Sequence, residues 1–299
     1  MKRGVWYAIA AYLLWGVFPI YIKLLQAVPA MEILAHRMVW SLVVVTVLLT
    51  LQHRWNWLRT LATNPAVILR FVATATVVSM NWGIYIWAIN SNRVVDASLG
   101  YFINPLVNVL LGALLLGERL RRVQWAAVAV AALGVVWLTV QAGTLPWIGL
   151  VIAVSFGTYG LLRKTATLGA LEGLALETAL LFPLAFGYLL WLAYNHQNTF
   201  VEASPALRWL LVAAGPVTAV PLLLFAAGAR RIPLTLLGLL QYIGPSIQLL
   251  LGVALYHEAF VPAKAAGYAL IWAALALYTA ETLWRTWRQA PAAVAGAPK

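Results

Sequence analysis

Cysteine is absent from the 299-residue sequence, and acidic side chains are scarce: 8 Asp and Glu stand against 20 Lys and Arg. The first absence excludes disulfides, thiolate metal sites and thiol nucleophiles. The second leaves little material for the convergent carboxylates of an acid–base enzyme. Charge of either sign is thin as well, 9% of residues, where a soluble domain carries roughly a quarter. No glycine-rich phosphate loop occurs, so this chain by itself is not expected to use ATP. His36, His53, His196 and His257 are scattered, and "YHEAF" has the His-Glu of a zinc-protease motif without its second histidine. What fills the chain is apolar: 64% of residues are hydrophobic. One water-soluble core could not hide that surface, so lipid is the expected solvent. The formal charge of +12 is dispersed in small clusters between apolar runs, which argues for membrane loops and against a nucleic-acid patch.

A membrane-crossing helix needs about 20 mostly apolar residues. On that basis ten spans are expected, near 4–25, 31–52, 67–90, 94–117, 122–141, 146–166, 170–194, 206–229, 233–256 and 262–284. The first apolar run is too long for a signal-peptide core and no small-x-small cleavage site follows it, so it reads as a retained span. Placing the N-terminus inside puts most Lys and Arg on the cytoplasmic side, Arg163 and Lys164 among them, and leaves Arg93, Arg208 and Lys264 outside. Both termini are then cytoplasmic. The Ala/Pro-rich end, 290–299, reads as a disordered tail.

One apolar phrase is written twice. "FINPLVNVLLGALLLGE" begins at Phe102 and "YIGPSIQLLLGVALYHE" at Tyr242, each with an early proline and a terminal glutamate. The same shift of about 140 residues aligns "WGVFPIYIK" from Trp15 with "FGTYGLLRK" from Phe156, and "AMEILA" from Ala30 with "ALEGLA" from Ala170. The chain therefore divides into units 1–141 and 146–289. Five spans per unit, an odd number, turn the second upside down relative to the first. Inverted repeats of this kind imply alternating access, with the substrate near the midplane between the units.

Two five-span units ending in Pro, Gly and a terminal Glu resemble the EamA repeats of the drug/metabolite transporter superfamily. "EILAHRMVWS", "NWGIYIWAIN", "ASLGYFINPLVNVLLG" and "LGLLQYIGPS" further resemble the RarD subfamily. The resemblance runs from Trp6 to about Trp284 and implies an all-α integral membrane fold of ten helices that exports small metabolites such as amino acids. The second unit departs from the first where Gly117-Glu118-Arg119 becomes His257-Glu258-Ala259.

Candidate site residues follow from polarity and aromaticity inside spans. Trp15, Trp82, Tyr85, Tyr101, Tyr159 and Tyr242, with the amides Asn81, Asn104 and Gln241, read either as packing or as an apolar pocket with polar tips. Their ring faces suit an ammonium group. Asn108 and Gln248 lie on the turns around Pro105 and Pro245, which are expected to kink their helices beside the cavity. Glu118 and Glu258 read as gate latches or as structural contacts at opposite faces. Arg37 and Glu177 are charges about two turns into repeat-related spans. Arg37 either snorkels outward or takes part in ion coupling, and Glu177 is either a satisfied structural acid or a proton carrier. Asp96, the only aspartate, reads as a helix cap. The Ala-rich fifth and tenth spans offer packing faces, within or between monomers.

The expectation is an inner-membrane exporter of broad amino-acid range, working without cofactor or metal, with small-molecule substrate and lipid as its only expected partners. The alternatives are an exporter of drugs or organic cations, and a membrane enzyme acting on lipid-linked substrates.

Overall fold

The computed structural model describes residues 2–90, 94–143, 147–255 and 262–294, and every regular element within them is helical. The first half contains α1 (Lys2–Leu24), α2 (Ala30–Leu51), α3 (Trp57–Thr63), α4 (Pro65–Asn90), α5 (Val94–Leu115) and α6 (Arg122–Ala142). The second contains α7 (Trp147–Thr165), α8 (Ala170–Tyr194), α9 (Thr199–Glu202), α10 (Pro205–Ala229), α11 (Leu234–Gln241), α12 (Ile243–Ala254) and α13 (Pro262–Val294). Each expected span falls on a helix, except 233–256, which falls on the pair α11–α12. Among the described residues eight stretches are long and apolar enough to cross a membrane, and α5 adds a shorter apolar run, Gly100–Leu115. The short helices α3 and α9 occupy connections that the sequence reading leaves irregular. α13 continues to Val294, into the stretch expected to be disordered from Ala290.

Local chemistry explains the boundaries. Pro65 and Pro205 open α4 and α10, where a missing N–H removes no helical bond. Asn198 Oδ1 accepts from the Phe200 N–H at 2.9 Å to start α9. Gly117 and Gly143, at φ +63° and +73°, turn the chain out of α5 and α6 in the left-handed region. Side chains far from any partner helix remain apolar: Leu69, Leu114 and Leu184 are 71%, 77% and 75% exposed. Such a surface is stable against acyl chains and not against water.

The two prolines differ in how the helix hydrogen bonds run around them. Pro245 lacks the N–H that would reach the Gln241 carbonyl, and its ring crowds that oxygen. The helix accordingly breaks at Tyr242, whose N–H turns back to the Leu239 carbonyl at 3.3 Å. Pro105 holds the same place in α5, yet α5 continues as one helix. A Cβ on Gly238 of α11 would lie 2.7 Å from the Pro105 carbonyl oxygen, so α5 and α11 cross there almost backbone to backbone.

Packing follows the repeat. Exchanging α1, α2, α4, α5 and α6 with α7, α8, α10, α11–α12 and α13 converts the α5–α7 contact into α1–α12, α2–α10 into α4–α8, and α1–α10 into α4–α7; all six occur. The pairs α2–α8, α5–α11 and α6–α13 convert into themselves. Single glycines repeat the correspondence. A Cβ on Gly16 would lie 2.8 Å from Ile247, and one on Gly157 would lie 2.7 Å from Val107. These are the same pair of positions in each unit.

The Ala-rich faces pack within the chain: α6 lies against α13, where Gly134 and Gly267 are each closed by the other's carbonyl oxygen. A Cβ on Gly134 would stand 2.8 Å from the Gly267 oxygen. Backbone cannot rotate aside, so Gly134→Leu should lower stability by about 1–3 kcal/mol. Thermal melting of the detergent-solubilised variant tests this, and melting at the wild-type temperature would remove the crossing from what holds the halves together.

Candidate functional site

Helices from both halves bring five aromatic rings together. Trp15 of α1 meets Phe156 of α7 at 5.8 Å between ring centroids, and these occupy equivalent places in the two units. Phe225 of α10 lies 5.7 Å from Trp15, 5.3 Å from Phe156 and 6.1 Å from Tyr159. Tyr12 closes the group, 5.9 Å from Trp15 and 6.3 Å from Phe225, and its hydroxyl donates to the Leu237 carbonyl at 3.1 Å. The offset and edge-on geometries suit ring quadrupoles and give a rigid wall.

Behind this wall lies a buried acid. Glu177 of α8 accepts from the Tyr159 hydroxyl at 3.2 Å, has the Thr74 hydroxyl beside it, and stands 3.6 Å from Arg163 Nη1. Arg163 belongs to the last turn of α7 and is 1% exposed. Its Nη2 donates to the Ala170 carbonyl at 2.9 Å, and its guanidinium lies over the Phe71 ring. Arg163, counted among the cytoplasmic basic residues in the sequence, is at the end of α7 the counter-ion of Glu177. A cavity of about 10 Å³, room for one water, lies between Ser41, Trp82, Tyr159, Glu177, Thr178 and Thr218. Glu177 Oε1 has no hydrogen-bond partner in the protein.

Across Trp82 and Thr218 from that cavity is Arg37 of α2. Its Nε donates to Thr218 Oγ1 at 2.9 Å, midway along α10. The guanidinium carbon lies 5.1 Å from the ring centres of both Phe18 and Trp82. Tyr21, Tyr85 and Tyr101 are its electrostatic neighbours, and the Tyr85 and Tyr101 rings meet edge-on at 5.7 Å. Arg37 thus reaches into the protein and does not snorkel outward. Trp15, Phe18, Tyr21, Arg37, Trp82, Tyr85 and Tyr101 lie among several helices and yet all keep part of their surface open.

The amides form a separate layer. Asn81 Nδ2 donates to the Ile152 carbonyl at 2.8 Å and to Ser155 at 2.9 Å; Asn104 Nδ2 donates to the Ala153 carbonyl at 2.7 Å. Asn108 joins Asn104 and Gln241, and the Tyr242 hydroxyl donates to the Phe102 carbonyl at 3.2 Å, a bond between equivalent positions of the two units. All five side chains are buried. In this conformation they hold α4, α5, α7 and α11 together, and none of them lines the cavity at Glu177.

Glu118 joins the halves at one end. Its Oε1 accepts from the Leu234 N–H at 2.6 Å and its Oε2 from the Thr235 N–H at 2.9 Å, the first free donors of α11. Lys164 Nζ lies 3.8 Å from the same carboxylate and donates to the Ile232 carbonyl at 2.5 Å. Glu258, the repeat-related acid, lies outside the described residues. Tyr12, Thr218 and the inward course of Arg163 escaped the sequence reading. The one signal for Arg163 was Glu177 itself, since an acid at that depth needs a cation, and the end of α7 carries one.

The comparisons agree on family. Residues 2–140 match the EamA-like transporter family. The chain is 50% identical to Protein RarD of Streptomyces exfoliatus, covering 97% of this chain and 92% of that one. It is 49% identical to an uncharacterized transporter of Vibrio cholerae over 94% and 93% of the two chains. Protein RarD of Escherichia coli K12 is 44% identical over 95% and 96%. A solved crystal structure superposes with a TM-score of 0.67, covering 93% of this chain and 97% of the other at 22% identity, which places the fold.

The buried ion pair is open to a double-mutant test. Arg163→Gln strands the Glu177 carboxylate with only hydroxyl partners, and removing one member of such a pair costs about 3–5 kcal/mol. Melting should fall accordingly in detergent, and Arg163→Gln combined with Glu177→Gln should recover most of the loss. Unchanged melting in Arg163→Gln would show that the pair does not hold α7 to α8.

Proposed function

The chain belongs to the RarD subfamily of EamA-like transporters in the drug/metabolite transporter superfamily, and on that premise we propose that it exports amino acids by alternating access. It is a multi-pass transporter of the bacterial inner membrane with a small-molecule substrate. In the finer reading the chain crosses the bilayer ten times, as inverted repeats 1–141 and 146–289, with both termini cytoplasmic. The observation that carries it is the meeting of Trp15 with Phe156, equivalent residues of the two units, near the small cavity at Tyr159 and Glu177. A wall built from equivalent residues can be closed from either face by similar movements of the two halves. Glu118, on the cytoplasmic side by the distribution of Lys and Arg, is then the latch of the closed inner face, and Arg37 lies toward the outer face.

An organic-cation exporter would use the same aromatic wall, but it would have to bring its cargo past Arg37. A membrane enzyme would need converging acids or histidines, and no group of three such residues occurs among the described residues. A small zwitterion, its side chain against the rings and its ends on polar groups, is the cargo this reading names, and it would need the cavity wider than the one-water volume of this conformation.

Two experiments test this. In a chain without cysteine, Gln141→Cys and Asn195→Cys should react with an impermeant maleimide on intact cells, and Asn56→Cys only after permeabilisation. The reverse pattern would overturn the orientation and the inversion with it. Proteoliposomes preloaded with leucine should take up labelled leucine by counterflow, and Trp15→Ala should reduce that uptake while preserving expression. Absence of flux for every neutral amino acid tried would sink the substrate assignment and leave the family intact.

A further inference from the structure

Arg37 is charged, set within a membrane helix, and has no carboxylate in ion-pair range among the side chains described, which do not include those of Asp96 and Glu258. Its repeat-related counterpart, Glu177, is matched by Arg163 at 3.6 Å. The remaining surroundings of Arg37 neutralise nothing: two ring faces, one threonine hydroxyl and three tyrosines. Among the described residues its only side-chain hydrogen bond uses Nε, which leaves the two terminal nitrogens for a ligand. A lone guanidinium at this depth is costly and marks function by default. The guanidinium carbon lies 5.1 Å from the Phe18 and Trp82 ring centres, within cation–π range, and Thr218 holds Nε at 2.9 Å. A planar, pre-oriented pair of N–H donors matches the two oxygens of a carboxylate.

We propose that Arg37 is the anchor for a carboxylate on the transported substrate. The site then selects amino acids and other small carboxylates and rejects amines that lack the acid group. This rests on the transporter reading above but does not require that the cargo carry an ammonium group. Phe18 and Trp82 are occupied by Arg37, so an ammonium, where present, faces the Tyr159–Glu177 side of the cavity and not the Trp82 ring.

The test uses purified full-length protein in detergent, with melting followed by tryptophan fluorescence. L-leucine, 4-methylpentanoate (acid without amine), leucinamide (amine without acid) and sodium chloride are added at matched ionic strength. Leucine and 4-methylpentanoate should raise the melting temperature of the wild type; leucinamide and chloride should not. In Arg37→Gln the apparent affinity for both acids should fall about ten- to a hundredfold, the loss expected when a charged hydrogen-bonding partner is removed. Arg37→Lys should retain part of it, since a point charge replaces the fork. Comparing leucine with leucinamide on the wild type needs no variant, so misfolding of Arg37→Gln would leave the test intact. Protection by leucinamide or chloride equal to that by leucine overturns the proposal. So does the absence of protection by any carboxylate, or its full survival in a folded Arg37→Gln. Protection by 4-methylpentanoate without leucine would support the anchor and remove the amino-acid assignment, so the two readings fail separately.

Discussion

Hydrocarbon offers no water, so every polar group inside a span must find its partner in the protein. That one constraint accounts for most of the contacts that give this molecule its shape. The Asn81, Asn104, Asn108 and Gln241 amides meet backbone carbonyls, a serine or one another across helices, and Tyr12 and Tyr242 donate to carbonyls of the opposite half. Glu118 answers the unpaired N–H groups at the start of α11, and Lys164 binds carbonyls at the end of α10 and just beyond it. Apolar side chains gain little by meeting each other where lipid is an equal alternative, so these polar bonds and the glycine crossings carry the specificity of assembly.

The two halves share an apolar grammar and differ in polar detail. Gly16 and Gly157 serve the same close approach, and Trp15 faces Phe156. Yet Pro105 leaves α5 continuous while Pro245 splits α11 from α12. Arg37 and Glu177 occupy one position with opposite charge, and only the acid has an internal counter-ion. The 140-residue shift pairs close backbone approaches, while the polar side chains at its paired positions differ.

Fold class and helix positions were legible because the apolar runs are long and their punctuation is local: Pro65, Pro205, Gly117 and Gly143 each act through their own backbone. The duplicated phrase was legible because it is written in the chain. The split at Tyr242 was only half visible, since a proline states that a bond is missing but not whether the helix will bend or break around it. The site was least legible. Trp15, Trp82, Tyr85, Tyr101, Tyr159 and Arg37 were identifiable as costly or bulky, but which ring stacks on which cation depends on helix rotation. Asn81, Asn104 and Gln241 were read as pathway residues because polar groups in apolar helices suggest a pore. The same polarity equally serves helix-to-helix bonding, and in this conformation it does.

The unmatched cation at Arg37 bears on how transport and closure are linked. On the proposed alternating-access cycle, an outward-open state would let water reach the guanidinium, and closure would strip that water at a cost of several kcal/mol for an unpaired buried charge. A carboxylate held by the guanidinium would replace the lost hydration, so closure over an occupied site would be less unfavourable than closure over an empty one. Glu177 would impose no such condition, because Arg163 stands 3.6 Å from it within the protein. A single unpaired residue on one half can therefore make the conformational step conditional on cargo, with no added energy source at the site itself.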